Sequence, residues 1–198
     1  MDSSNSFVHN AVARLPTVFG EFAATAFVDE EGKEHFVLVK GKKTDGGEPA
    51  LVRIHSECLT GDVFGSKRCD CQHQLRKSLE LIGESEFGAL IYLRQEGRGI
   101  GLANKLKAYC LQDAGLDTVE ANEQLGFSAD ERDYSLAAKI LIGLGAGKVR
   151  LITNNPGKIS CLEKNGVKVV KRIPLADKKT LENEKYLSAK KNKMGHLL

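Results

Sequence analysis

The chain has 198 residues, 41% of them hydrophobic and 28% charged, with a formal net charge of +3 at pH 7. This composition is typical of a globular protein and excludes the disordered and collagen-like classes, and the apolar stretches are far shorter than the roughly 20 residues of a membrane span. The slight basic excess by itself argues neither for nor against nucleic-acid binding. The polar N-terminus carries no export signal, so we expect a cytoplasmic protein, and we expect it to bind neither a nucleic-acid polymer nor a membrane.

The N-terminal third is predicted to be rich in β-structure. Apolar and polar residues alternate over residues 22–28, and apolar clusters follow at residues 36–39 and 51–54. From residue 74 onward the apolar residues lie three or four positions apart, which is the spacing of a helix. Strands and helices are then expected to alternate, and the second half can hold parallel strands.

The elements after residue 74 follow from this spacing and from local start signals. The predicted helices cover residues 75–82, 102–110, 136–144, 156–165 and 182–193. The predicted strands cover residues 89–93, 149–152 and 167–170. Asn155 before Pro156 is a typical helix start. The sequence therefore predicts an α/β fold of mixed α+β character in a single domain over residues 1–198, with residues 1–12 and 190–198 expected to be flexible.

Three of the five cysteines, Cys58, Cys69 and Cys71, lie close together in the sequence. In a chain without an export signal, such a cluster indicates a metal site and not disulfides. Zinc is the natural ion for thiolates, and three protein ligands leave a fourth tetrahedral position for water, as in a catalytic site. The alternative is a structural zinc site in which His55 or His73 is the fourth ligand. The spacing alone does not separate the two.

The residues around the cysteines favour catalysis. A structural zinc site does not need the many polar side chains that surround these thiols, namely Arg53, His55, Ser56, Glu57, Asp62, Lys67, Arg68, Asp70 and Gln74. The other two cysteines, Cys110 and Cys161, fall on apolar helical faces and are expected to be small core residues.

The segment 94–101, between a predicted strand and a predicted helix, carries three glycines and two arginines. Glycine lets the main chain approach a phosphate, the helix start adds its positive end, and Arg94 and Arg98 add permanent charge. A flexible turn with two solvated arginines is the plainer alternative. A dinucleotide-binding loop is less favoured, because its glycines would be spaced two and three apart, not two and two.

A second phosphate contact is predicted at the end of the 149–152 strand. Thr153 supplies a hydroxyl, the following helix start supplies free amides, and Lys158 supplies a charge in the first turn. A well-capped helix explains the same residues without any ligand, so both interpretations stay open.

The charged segment 128–133 has the form of a helix capping box but an unusual density of charge. In a regular helix, Asp130 and Arg132 would point about 200° away from each other. Both side chains can therefore face one substrate only if this stretch is a turn, or if the helix begins later, near Asp133.

Taken together, these segments closely resemble GTP cyclohydrolase II. The resemblance runs in order from about Leu15 to Leu198, so it covers nearly the whole chain. Its motifs are residues 53–62, Cys69-Asp70-Cys71, residues 94–98, residues 125–127 with 130–133, and residues 151–156. It implies a monofunctional form, without the 3,4-dihydroxy-2-butanone 4-phosphate synthase domain that fused relatives carry.

The resemblance implies that the chain carries out the first step of riboflavin biosynthesis. GTP would be hydrolysed to 2,5-diamino-6-(5-phospho-ribosylamino)pyrimidin-4(3H)-one, formate and diphosphate. One zinc ion per chain would be held by Cys58, Cys69 and Cys71, magnesium would accompany the triphosphate, and the chain would form a homodimer. Zinc chemistry suits this reaction, because a zinc-bound water of lowered pKa could attack C8 of the guanine ring.

The resemblance also assigns residues to GTP. The expected substrate contacts are Arg53, Ile54, His55, Ser56, Glu57, Gln74, Glu96, Gly97, Arg98, Thr118, Thr153 and Lys158. The catalytic pair would be Asp130, as proton acceptor, and Arg132, as a nucleophile on the α-phosphorus. A guanidinium has a pKa above about 12 and is hard to deprotonate, so stabilising the charge that develops on diphosphate release is an easier role for Arg132.

Two positions near the cysteines and two other functions complete the expectations. Tyr109 could position water or substrate, or be only a half-buried helix tyrosine, and His73 is expected to point away from the zinc. A catalytically silent nucleotide-binding paralogue would have lost a cysteine, Asp130 or Arg132, and none is lost. A zinc nucleobase deaminase would need Cys-x-x-Cys ligands, and Cys69 and Cys71 are one residue too close.

Overall fold

Strands from both halves of the chain join one mixed sheet of seven strands in the order β1-β2-β3-β5-β4-β6-β7. The computed structural model describes residues 11–128 and 130–175. The strands are β1 Ala13–Thr17, β2 Gly20–Val28, β3 Glu34–Gly41, β4 Ala50–Ser56, β5 Phe87–Leu93, β6 Lys148–Ile152 and β7 Lys168–Ile173. The first three are antiparallel to their neighbours, and β5, β4, β6 and β7 run parallel to one another. This is the mixed α/β fold that the sequence predicts.

The helices connect the parallel strands and cover both faces of the sheet. They are α1 Leu59–Asp62, α2 Cys71–Gly83, α3 Leu102–Asp113, α4 Thr118–Gln124, α5 Ser135–Gly143 and α6 Pro156–Lys164, with a 3-10 turn at Glu96–Gly99. In the described part of the chain, no helix is long and apolar enough to cross a membrane.

Strand β4 shows why the sheet needs helices on both sides. Its side chains alternate between the faces, and nearly all of them are buried. Val52 and Ile54 pack in the core that α5 and α6 cover, whereas Leu51 packs with Ile82 of α2 in a second core on the opposite face. Burial on both faces fixes β4 in the middle of the parallel strands.

The carboxyl ends of the parallel strands place the functional segments side by side. Strand β4 leads into the cysteine segment, β5 leads into the 3-10 turn, and β6 leads to Thr153 and α6. The chain then leaves β4 toward α2 on one face and leaves β6 toward α6 on the other. In open α/β sheets, a crevice at the carboxyl edge where connections diverge is the usual place for a ligand.

Several local predictions are confirmed and some are corrected. The Asn155 side chain accepts a hydrogen bond from Gly157 N at the start of α6, as its cap position predicts. Strand β1 and helices α1 and α4 were not predicted from the sequence. Cys110 was expected in the core but is exposed, because α3 turns this side of its surface to solvent, whereas Cys161 packs against the core. The predicted helix 182–193, the expected flexible end 190–198 and residues 1–10 of the expected flexible segment 1–12 lie outside the described residues.

Candidate metal centre and active site

The three clustered cysteines converge at the carboxyl ends of β4 and β5. The Sγ atoms of Cys58, Cys69 and Cys71 all lie within 4.8 Å of one another, and those of Cys58 and Cys69 are 3.7 Å apart. Two thiolates on a tetrahedral zinc, each about 2.3 Å from the ion, would be about 3.8 Å apart. The donor set and its spacing therefore fit zinc with three protein ligands.

Gly61 makes room for the three sulfurs to converge. A Cβ atom at this position would lie 2.7 Å from Cys69 Sγ, 3.0 Å from Cys58 Sγ and 3.0 Å from Cys71 Cβ. Real Cβ atoms essentially never approach other atoms this closely, so any side chain here would displace a sulfur. The absence of a side chain at Gly61 thus leaves the space that the three cysteines need to converge around a metal ion.

The buried carboxylate of Asp62 holds the cysteine segment against the sheet. Its side chain is 4% exposed. It accepts hydrogen bonds from Cys58 N at 3.0 Å and Tyr92 OH at 2.9 Å, and it pairs with His55 Nε2 at 3.0 Å. Burial lowers the pKa of His55, although Asp62 opposes this effect. One acceptor therefore ties the first cysteine to β4 and β5.

A lysine and a glutamate lie on the other side of Cys58. Lys105 Nζ donates to Cys58 Sγ at 3.2 Å, to Thr60 Oγ1 at 2.9 Å and to Glu96 Oε1 at 2.8 Å. Hydrogen bonding from the other two thiols, together with the Lys105 charge, lowers the pKa of Cys58 far below its ordinary value, although burial opposes this. The hydrogen bond with Cys58 in turn raises the pKa of Cys69 to about 11. Lys105 thus places a positive charge directly against the sulfur of Cys58.

A pocket opens from the cysteines and gathers seven of the expected GTP contacts and catalytic residues. Tyr109 also lines it, beneath the guanidinium of Arg68, whose Cζ lies 4.7 Å from the ring centroid. The seven are Ser56, Glu57, Glu96, Gly97, Arg98, Thr118 and Arg132.

The other expected contacts do not line this pocket. Several of them are buried and bind to neighbouring strands and helices. Arg53 donates to Ile152 O at 3.1 Å and to Gln74 Oε1 at 2.7 Å, so it joins β4 to β6 and α2. Lys158 Nζ donates to the carbonyl of Ile54 at 2.7 Å. The residues outside the lining are Arg53, Ile54, His55, Gln74, Asp130, Thr153 and Lys158.

The segment before α5 is not helical, which lets Asp130 and Arg132 face each other. Arg132 donates from Nε at 2.7 Å and from Nη2 at 2.5 Å to the two carboxylate oxygens of Asp130. Helix α5 begins only at Ser135, whose N–H is capped by Asp133. Burial would raise the pKa of Asp130, but the hydrogen bonds and charge of Arg132 outweigh it and lower that pKa.

His73 lies on the exposed side of α2 and is not among the grouped ligands. Among the described residues, the group contains only the three cysteines. The prediction that His73 points away from the metal position is confirmed. The group of three thus leaves a fourth tetrahedral position to the pocket.

The family model of GTP cyclohydrolase II matches residues 9–174 of the chain. The chain belongs to the GTP cyclohydrolase II family. It is therefore an enzyme, and the resemblance seen in the sequence is confirmed.

Relatives of this family match most of the chain. GTP cyclohydrolase-2 of Pseudomonas paraeruginosa is 54% identical over 194 residues, which cover 98% of this chain and 94% of the relative. Riboflavin biosynthesis protein RibBA of Bacillus subtilis is 56% identical over 185 residues, but these cover only 46% of that longer protein. A crystal structure of RibBX, a two-domain 3,4-dihydroxy-2-butanone 4-phosphate synthase from A. baumannii, matches with 19% identity and a TM-score of 0.48 over 88% of this chain and 42% of that one, a likeness too remote to bear on function.

Two residues of this GTP cyclohydrolase II site were given no role by the sequence motifs, although Asp62 stands at the end of the 53–62 motif. Lys105 stands in an ordinary helix pattern, and Asp62 was noted only as one of many polar neighbours of the cysteines. Their roles become visible only in the folded chain. Lys105 is 8% exposed, and the Asp62 carboxylate is hydrogen-bonded to Tyr92 and His55. Because Lys105 is 47 positions from Cys58 in the sequence, it could have been found only by asking which charge would balance the thiolates.

Proposed function

We propose that this chain hydrolyses GTP to 2,5-diamino-6-(5-phospho-ribosylamino)pyrimidin-4(3H)-one, formate and diphosphate in riboflavin biosynthesis. The observation that carries the proposal is a single pocket that is lined both by the three converging cysteines and by Arg98 and Arg132. A thiolate metal centre and permanent positive charge in one pocket suit a substrate that has both a hydrolysable ring and a triphosphate.

The sulfur side of the pocket is proposed to open the guanine ring. Cys58, Cys69 and Cys71 would hold one zinc ion, which when bound supplies a Lewis acid that activates water near neutral pH. Ser56 and Glu57, which line the pocket beside Cys58, would orient the purine at this end. Glu57 is held by Arg94 Nε at 3.1 Å, so its carboxylate has a fixed position from which to accept hydrogen bonds.

The arginine side is proposed to bind and cleave the triphosphate, which would carry magnesium. Arg98 and Arg132 line the pocket, and the main chain at Gly97 and Arg98 has φ values of 64°, a conformation that glycine adopts readily and arginine rarely. Such strain at a non-glycine residue is common where a side chain is held for a ligand.

Arg132 is proposed to stabilise charge on the phosphates, not to act as a nucleophile. Its two-point contact with the Asp130 carboxylate favours the protonated guanidinium and makes its deprotonation harder still. Asp130 would accept a proton or share Arg132 with the substrate. Three further expected contacts, Thr118 in the lining and Thr153 and Lys158 outside it, would support this end.

We further propose that the 198 residues act as one catalytic domain, with one zinc per chain, as a homodimer in the cytoplasm. The single sheet that runs through residues 13–173 supports one domain. Sedimentation of the purified protein would test the dimer.

The decisive experiment measures formate and diphosphate separately. The protein is incubated with GTP, zinc and magnesium as wild type, as Cys58→Ser, and as Cys110→Ser, whose exposed thiol lies outside the cluster. We expect formate release to be lost only in Cys58→Ser. Normal formate release by Cys58→Ser would contradict the metal mechanism, and diphosphate release without formate would assign the phosphate chemistry to the arginine side.

A further inference from the structure

Lys105 is a buried ammonium group directly against the sulfur cluster. It lies on α3, and its side chain is 10% exposed. Its Nζ lies 3.2 Å from Cys58 Sγ, 2.9 Å from Thr60 Oγ1 and 2.8 Å from Glu96 Oε1. An ammonium has three N–H donors, so these three acceptors use all of them. The three hydrogen bonds therefore fix the position of the Lys105 ammonium group.

Glu96 is itself held so that it can fix Lys105. Its two carboxylate oxygens accept hydrogen bonds from Leu59 N at 2.6 Å and from Gly97 N at 2.7 Å. A Cβ at Gly97 would lie 3.1 Å from Lys105 Cβ, so the glycine lets the 3-10 turn pack tightly against the lysine. Through these contacts Glu96 and Lys105 link the start of α1, the 3-10 turn and α3.

A three-thiolate site poses a chemical problem that a lysine can relieve. Three thiolates around a divalent ion leave a net negative charge, and each thiolate donates electron density that makes the ion a weaker electrophile. A charge-assisted N–H···S hydrogen bond withdraws part of this density, and contacts of this kind commonly tune metal ligands.

We propose that Lys105 is a positioning residue that, held by Glu96 and Thr60, hydrogen-bonds the Cys58 thiolate and limits the electron density this ligand gives to the metal ion. The inference rests on the metal centre of the proposed function. It differs from that proposal in assigning unequal roles to the three cysteines: Cys58 is the ligand whose donation is reduced.

Cobalt in place of zinc gives a spectroscopic test that does not depend on activity. The wild-type protein loaded with Co²⁺ shows sulfur-to-cobalt charge-transfer absorption if the cysteines bind the ion. In Lys105→Met this absorption should shift to longer wavelength, because a thiolate without its hydrogen bond gives up electrons more readily. Lys105→Arg should return the band toward its wild-type position. Lys107→Met, which removes an exposed lysine from the same helix, should leave the spectrum unchanged.

A second readout uses the zinc-loaded enzyme at equal metal content and saturating GTP. Formate release by Lys105→Met should fall by about 10-fold to 100-fold, the usual effect of losing a hydrogen-bond partner of a metal ligand. Lys105→Arg should recover part of the rate.

The possible outcomes separate this inference from the metal proposal. A Lys105→Met spectrum identical to the wild-type spectrum would overturn the role of Lys105 while leaving the metal centre intact. Equal loss of cobalt binding in Lys105→Met and Lys105→Arg would overturn it as well, since the lysine would then only support the fold. Wild-type protein that binds no cobalt through sulfur would overturn both proposals.

Discussion

The two ends of the candidate pocket are held by different means. At the sulfur end, which consists of Cys58, Cys69 and Cys71, buried side chains from several elements converge, and Asp62 and Lys105 tie Cys58 to β4, β5 and α3. At the arginine end, Asp130 and Arg132 form a two-point ion pair in the non-helical segment before α5, with side chains 28% and 13% exposed. The contacts of the first end join residues far apart in the chain, whereas the ion pair of the second end joins residues two positions apart.

This difference suggests a division between a fixed site and an adjustable one. A metal centre needs ligand positions held to a fraction of an ångström, which a buried network provides. A group that stabilises developing charge must exchange its resting partner for the substrate, and a local ion pair at the pocket wall allows this exchange. Four substitutions test whether the two ends behave so differently.

The largest effect is expected at the arginine end and on catalysis alone. Arg132→Gln should lower the rate of diphosphate release about 100-fold to 1000-fold, as when a donor to a developing anion is removed. The metal content of the purified protein should equal that of wild type, and Arg14→Gln, an exposed arginine paired with Glu21, should change neither quantity. A parallel loss of metal would show that the two ends are not independent.

A single methyl group should disrupt the sulfur end. Gly61→Ala should weaken zinc binding about 10-fold to 100-fold, because the new Cβ would occupy the space of the Cys69 and Cys58 sulfurs. Competition with a chromophoric chelator measures this change. Gly143→Ala is the matched control, since it also lies in a helix and its Cβ would meet nothing within 4 Å. Unchanged affinity in Gly61→Ala would mean that the sulfurs adapt and that this end is not rigid.

The buried carboxylate should matter for stability. Asp62→Asn is expected to lower the free energy of unfolding by about 1–3 kcal/mol, because His55, Tyr92 and the Cys58 amide all depend on this acceptor. Urea denaturation measures the change. Asp113→Asn removes an aspartate whose side chain is 63% exposed, paired with Arg68, and should have almost no effect.

The smallest stability effect is expected for Asp130→Asn, which should cost less than Asp62→Asn at neutral pH because the Asp130 side chain is 28% exposed and that of Asp62 only 4%. Because the folded-state pKa of Asp130 is lowered, its contribution is complete above the ordinary aspartate pKa of about 3.9 and is lost as pH falls through the folded value. Wild type and Asp130→Asn should therefore converge in stability in acid. A cost at pH 7 as large as that of Asp62→Asn would remove the contrast between the two ends.

Local patterns in the sequence predicted much of the fold and part of the site. Alternation and helical spacing identified most strands and helices, and the Asn155-Pro156 pair located the start of α6. Helix α4 was missed because its seven residues are too few to show a periodic face, although Asp117 and Glu120 form a capping box. Cys110 was misplaced because the apolar face of α3 is only weakly defined, so spacing could not tell which side turns to the core.

What the sequence determined by itself is the chemistry that depends on residue type and short spacing. Three cysteines within 14 positions are close enough to bind one ion wherever the rest of the chain goes, and that spacing can be read directly. Only the tertiary structure decided which charge faces which sulfur, because Lys105 and Cys58 are separated by 47 positions and meet only when β4, β5 and α3 pack together. It also decided that Asp130 and Arg132 face each other, since the segment that carries them is not helical and the opposed directions of a helical spacing do not apply.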